Sequence, residues 1–179
     1  MKRTLLAVAL AFTLSCLYAS EGSTLSLGGD LRGADALFLD TLQARAEVRL
    51  CINDEFSFHI PCTLTADLRY NDIRLWEFGL FLDYHPFHNG FFLSVSLVQV
   101  GLFSGFDKGD EPLQYLNEVA FGYTWHVTPS LYLEPKLIVR DPSGVFKAEY
   151  ALIQRYLPDY GQFRLFLLVG WEFLAIPAL

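Results

Sequence analysis

Three groups of residues have types and spacings suited to chemistry. His126 and Thr128 share one strand phase, and Glu134 follows in the next segment. That order offers a base, a hydroxyl and a carboxylate, the parts of an activated nucleophile. The serine such a site wants is missing, and the phase turns His126 toward the polar face. Asp83, His85 and His88 gather near one turn with the donor types of a metal site. An H-x-x-H spacing off a helix does not aim two rings at one ion, so no metal is expected. The third group is the largest: Arg45, Glu47, Arg49, Asp67, Arg69, Glu77, Asp83, Glu118, Glu134, Lys136, Arg164 and Glu172 fall on the polar phases. Both signs are present, so these groups can pair in a confined space, and arginine's planar fork suits such pairing with carboxylates. No glycine-rich phosphate loop, G-x-S-x-G elbow or Cys-x-x-Cys pair occurs, and no cofactor is expected.

Strands must position these groups. In residues 56–71, Phe56, Phe58, Ile60, Cys62, Leu64, Ala66, Leu68 and Tyr70 point one way, while Ser57, His59, Pro61, Thr63, Thr65, Asp67, Arg69 and Asn71 point the other. The run exceeds the roughly 5–6 residues of a soluble strand and meets the roughly 9–11 needed to cross a bilayer at a tilt. The same pattern predicts strands over 23–33, 40–52, 74–84, 91–103, 113–127, 131–140 and 162–173. The phase blurs at Gln99, where a bulge would shift it. Residues 145–157 fit both a strand and a helical stripe of Phe146, Tyr150, Ile153 and Leu157, and are read as structure within a loop. Connections at one end, 53–55, 86–90 and 128–130, are short. Two at the other end, 104–112 and 141–161, are longer, an asymmetry of outer-membrane barrels, although 34–39 and 71–72 are short.

Alternation alone does not say which face is inside. A soluble lipid-binding barrel keeps its oily face in, and a membrane barrel inverts this. The aromatics are sorted by depth: Phe56, Phe58, Tyr84, Phe91, Tyr123, Trp125, Trp171 and Phe173 at one end, and Tyr70, Trp76, Phe103, Tyr115 and Phe163 at the other. Aliphatic residues lie between, as expected of two interfacial girdles around a lipid-facing band. Beyond the leader only Lys108, Lys136 and Lys147 remain, few for a solvated surface. Both features favour the inverted arrangement. A membrane helix over 163–179 would bury Glu172 at about 2–3 kcal/mol, a cost that a strand avoids.

The chain has 179 residues, 20 acidic against 13 basic, and net charge −7. That balance argues against a nucleic-acid partner. The hydrophobic fraction of 53% and mean hydropathy of +0.30 are high for an acidic soluble domain. Residues 1–20 read as a signal peptide: Lys2 and Arg3, an apolar stretch, then Ala19 and Ser20 before Glu21. Cys16, preceded by Thr13, Leu14 and Ser15, is a looser match to lipoprotein processing. Residues 21–179 then form a single domain. Cys51 and Cys62 fall on opposite faces and are expected to be free thiols.

In architecture, residues 23–179 resemble the small eight-stranded outer-membrane proteins, the OmpA-barrel, OmpX and OmpW groups. The resemblance implies an all-β fold, a closed antiparallel up-and-down transmembrane β-barrel of about eight strands. The sequence departs from it at the C-terminus, where six residues follow Phe173 instead of a terminal aromatic. It implies a monomer in outer-membrane lipid, serving as a non-catalytic surface scaffold or binding protein. An extracellular partner would use loops 104–112 and 141–160, with Tyr150, Tyr156 and Tyr160 among the contacts. A narrow path for small hydrophobic solutes would run past Val98, Val100 and Leu102. The alternatives are a lipid A deacylase or acyltransferase, or a soluble periplasmic lipocalin-like lipid binder.

Overall fold

The eight predicted strand segments form strands, and the strands close on themselves. The computed structural model describes residues 23–30, 41–67, 74–104 and 112–176. Its strands are β1 (Ser23–Asp30), β2 (Thr41–Cys51), β3 (Phe56–Asp67), β4 (Arg74–Tyr84), β5 (Phe91–Ser104), β6 (Leu113–Leu116), β7 (Glu118–Tyr123), β8 (Trp125–His126), β9 (Leu131–Arg140) and β10 (Phe163–Ile176). A helix, α1 (Lys147–Tyr156), joins β9 to β10. Neighbours in sequence are antiparallel neighbours in space, and β10 returns to pair with β1. The sixth predicted strand is broken: β6, β7 and β8 are pieces of one stave, interrupted at Asn117 and Thr124. The result is a closed antiparallel barrel of eight staves, with no edge strand among the described residues.

The polar phases face inward. Gln43, Arg45, Glu47 and Arg49 of β2, Ser57, His59, Thr63 and Thr65 of β3, and Glu134, Lys136 and Arg140 of β9 are all buried. The apolar phases face outward, with Leu27, Val48, Ile60, Phe78, Val95, Phe121, Leu165 and Leu167 exposed. No helix among the described residues is long and apolar enough to cross a membrane.

The connections 53–55, 86–90 and 128–130 lie at one end, called here the turn end. Two are tied by their own side chains. Asn53 Oδ1 accepts from the amides of Glu55 and Phe56, and Thr128 Oγ1 accepts from that of Leu131. Gly90 has φ of 95°, and a Cβ there would meet the Thr124 carbonyl oxygen at 2.3 Å, so the second turn requires glycine. The opposite end carries α1. Within 145–157, where the sequence fits both periods, Lys147–Tyr156 is a helix.

One predicted phase is corrected. β5 bulges where Leu80 pairs with Val98 and Phe81 with Ser96, which leaves Leu97 as the extra residue. Leu97 and Val98 both point outward, at 50% and 62% exposure, and the alternation beyond them is reset. Val98, Val100 and Leu102 therefore lie on the outer wall, and the hydrophobic path assigned to them does not line the interior. Phe103, expected in an outer aromatic girdle, is only 6% exposed and faces in.

Candidate functional site in the barrel lumen

The inward faces of β2, β4, β7 and β9 bring most of the sequence-identified charges into one continuous network. Arg49 grips Glu134 with both arms of its guanidinium, one at 2.7 Å. The same group reaches Glu47 at 3.1 Å and Asp83 at 3.4 Å. Lys136 bridges Glu47 at 3.1 Å and Glu134 at 2.8 Å. Nearer the helix end, Arg45 spans Glu47 at 3.4 Å and Glu118 at 3.7 Å, and Arg140 donates to Glu118 at 3.1 Å. Glu77 accepts a hydrogen bond from Tyr160.

Nine of these charges are almost fully buried: Glu47, Glu77, Asp83, Glu118 and Glu134 against Arg45, Arg49, Lys136 and Arg140. Burial at that depth is tolerable only because opposite charges and hydrogen bonds meet it. His59 adds to this by placing Nδ1 2.8 Å from Asp83. The network touches both ends of the lumen through neutral groups. At the turn end Ser57 Oγ lies 3.2 Å from His85 Nε2 and 3.3 Å from Asp83. At the helix end the Arg140 guanidinium packs 3.6 Å from the centre of the Tyr160 ring.

Aromatic rings sheathe the ions. Arg45 sits between Phe81 and Phe166, 5.8 and 5.3 Å from their centres, and Arg49 between Phe92 and Tyr132, at 5.4 and 5.9 Å. His59 stacks on Phe81 at 4.8 Å. Flat guanidinium groups suit such slots because they stack as well as pair. Inward-facing glycines make room for the rings. Gly122 pairs with Phe92 and Gly170 with Tyr132, and a Cβ at either glycine would fall 2.2 or 2.0 Å from the ring. These four aromatics were not among the sequence-identified groups. For Phe92 and Tyr132 the signal was present in the glycines that fall on polar phases opposite them.

Asp67 and Arg164 are half-buried, with Arg164 5.7 Å from the Phe166 ring centre, and Glu172 pairs with His126 at 3.1 Å near the turn end. Arg69, Tyr70 and Cys16 lie outside the described residues. On the outer wall, Phe56, Phe58, Tyr84, Phe91, Tyr123, Trp125, Trp171 and Phe173 ring the turn end, with Phe56 stacked on Tyr84 at 5.2 Å. Trp76, Tyr115 and Phe163 are exposed toward the helix end. Cys51 and Cys62 are both free thiols.

The catalytic arrangement considered from the sequence is not assembled. Glu134 is taken up by Arg49, Lys136 and Thr124, while His126 turns to Glu172. Among the described residues, no group of three or more His, Cys, Asp or Glu has metal-site geometry. Outside the strands, burial holds the His85 imidazole below its usual pKa, with Arg49 acting the same way and Asp83 opposing. Burial likewise pushes the Tyr150 and Tyr160 phenols up, so both stay hydroxyl donors.

No protein-family model matches the chain, and no curated protein matches it. Solved structures do. The crystal structure of the N-terminal β-barrel domain of Pseudomonas aeruginosa OprF aligns with a TM-score of 0.55 at 11% identity, covering 86% of this chain and 98% of that one. The solution structure of the de novo designed TMB2.3 aligns with a TM-score of 0.39 at 12% identity, covering 87% and 94%. The first likeness shows a shared fold, an outer-membrane-type eight-stranded barrel.

Proposed function

We propose that this chain is an exported outer-membrane β-barrel whose lumen is closed, and that it serves as a non-catalytic membrane scaffold or binding platform. The observation that carries the reading is the buried ionic network. Most of its carboxylates and cations pair with one another, and aromatic rings pack against Arg45 and Arg49. A conducting pore keeps lumen charges hydrated and available to ions. A small barrel packed with side chains offers a rigid body instead. The outward aromatics at both ends of an aliphatic wall support insertion in a bilayer, with a leader at residues 1–20 for export. Recognition would then fall to exposed loop residues, since loops on a rigid scaffold are free to vary. Tyr150 and Tyr160 are not available for it, because both side chains are buried.

The test has two parts. The protein should stay with outer membranes through a carbonate wash and migrate faster on gels before heating than after. Purified protein in planar bilayers should show no sustained conductance. Release by carbonate would remove the membrane reading, and steady channels would remove the closed lumen.

A further inference from the structure

We infer that α1 with the turn that follows it is a releasable lid over a blind cup at the helix end of the barrel. The blind floor of that cup rests on the closed-lumen reading; the lid does not.

The inner wall at this end is apolar. Leu75 of β4, Phe103 of β5 and Leu116 of β6 are inward and buried. They pack with Tyr150, Ile153, Leu157 and Tyr160, with Phe146 and Tyr156 partly buried at the margin. Directly beneath lie Glu77, Glu118 and Arg140. An apolar rim left open to water is unfavourable unless something apolar covers it, and here the chain's own helix packs on it.

The lid is held differently from the wall. A strand in a closed barrel is bound along its whole length by two ladders. α1 belongs to none of them. It is 10 residues long, shorter than the roughly 12–15 at which an isolated helix becomes marginal in water. Its N-cap is Phe146, with no side-chain cap bond. It therefore depends on docking for its helical form, and docking and folding are one event. Among the described residues the polar latch is small, and Arg140 adds a contact to the Tyr160 ring at 3.6 Å. Tyr160 donates to Glu77, Tyr150 to the Asn117 carbonyl at 2.7 Å, Arg140 Nη1 to the Gly161 carbonyl at 3.1 Å and Thr41 to Asp159 at 3.1 Å. Segments with few such ties open locally at a fraction of the cost of global unfolding. Once open, water would reach the Glu77–Glu118–Arg140 layer. It would stop at Arg45, which is wedged between two rings beneath that layer.

The experiment uses thiol labelling in a cysteine-free background (C16S, C51S, C62A), on folded protein in phosphatidylcholine vesicles with a water-soluble maleimide. Leu116→Cys reports the cup. Ala120→Cys, buried beside Ile138, Leu168 and the Phe166 ring of the floor, reports the packed interior. Tyr160→Phe removes the bond to Glu77 and keeps the ring, and Ile153→Asp breaks the apolar contact. Labelling at Leu116→Cys should rise about tenfold with Tyr160→Phe and further with Ile153→Asp, while Ala120→Cys stays unreacted. Heat-modifiable mobility verifies that each barrel remains closed, and the near-isosteric Tyr160→Phe keeps the test decisive where Ile153→Asp fails to fold. Unchanged labelling at Leu116→Cys would make α1 a fixed part of the wall and overturn the inference. Labelling of both reporters in step would mean that the barrel opens as a whole, which overturns it equally. Conductance in the parent protein would sink the closed lumen, and the Leu116→Cys rates would still decide the lid.

Discussion

Arg49 is the hub of the lumen, and replacing it by methionine probes how dry that lumen is. The substitution keeps much of the side chain's bulk between Phe92 and Tyr132 but deletes the charge. Three carboxylates lose a partner: Glu134, held at 2.7 Å, Glu47 at 3.1 Å and Asp83 at 3.4 Å. A solvated pair of this kind is worth about 0–1 kcal/mol, whereas breaking a buried one costs about 3–5 kcal/mol. None of the three is wholly abandoned. Lys136 still holds Glu47 and Glu134, and His59 still holds Asp83. The loss should therefore sit near the lower end, at about 3 kcal/mol. Adding Glu134→Gln removes one stranded charge, so the double variant should recover part of the loss, with a coupling of about 1–2 kcal/mol. The assay is equilibrium urea unfolding in lipid vesicles, followed by tryptophan fluorescence and by gel mobility of unheated samples. A loss below about 1 kcal/mol for Arg49→Met, with no coupling to Glu134→Gln, would refute a water-poor ionic core.

Gly122→Ala should destabilise by about 1–3 kcal/mol, because its Cβ would fall 2.2 Å from the Phe92 ring; pairing it with Phe92→Leu should recover most of the loss in the same urea titration. His85 binds its proton less readily when folded than when unfolded, so its contribution to stability is complete above the unfolded pKa near 6.5 and declines as pH falls through and below it. A titration of stability between pH 8 and 4 should be flatter for His85→Gln than for the parent, and parallel curves would dismiss the effect. Tyr150 and Tyr160 have raised pKa values, so their contribution is intact below the usual phenol value of 10 and is lost as pH climbs past it. Alkaline unfolding of Tyr160→Phe should accordingly begin from a lower baseline but lose less between pH 10 and 12; an equal loss would exclude Tyr160 as a contributor.

Much of the barrel was legible because a strand half in contact with one environment writes period two into its residues. β9 spans residues 131–140, the range its alternation predicts, and β2 and β3 begin within a residue of theirs. Most of the charges assigned to the polar phases gather inside for the same reason. What was not legible depends on partners. At Leu97 and Val98 two apolar residues follow one another, and nothing local says which keeps the phase; the register with β4 decides, and it sends Gln99 and Phe103 inward. Residues 147–156 satisfy two periods, and the helix is selected by the apolar rim of Leu75, Phe103 and Leu116, residues distant in sequence. Phe81, Phe92, Tyr132 and Phe166 were hidden among apolar neighbours on both sides. Inward-phase Gly122 and Gly170 mark two of their slots, but only once strand register pairs ring with glycine.

A barrel that spans a membrane presents its outward face to hydrocarbon. All three tryptophans, Trp76, Trp125 and Trp171, are exposed on that wall near its two ends. Folded protein in vesicles whose acyl chains carry bromine at graded depths tests this directly. Quenching strongest for bromines closest to the headgroups, with little effect of aqueous iodide, is the predicted result. Efficient iodide quenching with no response to brominated chains would contradict it.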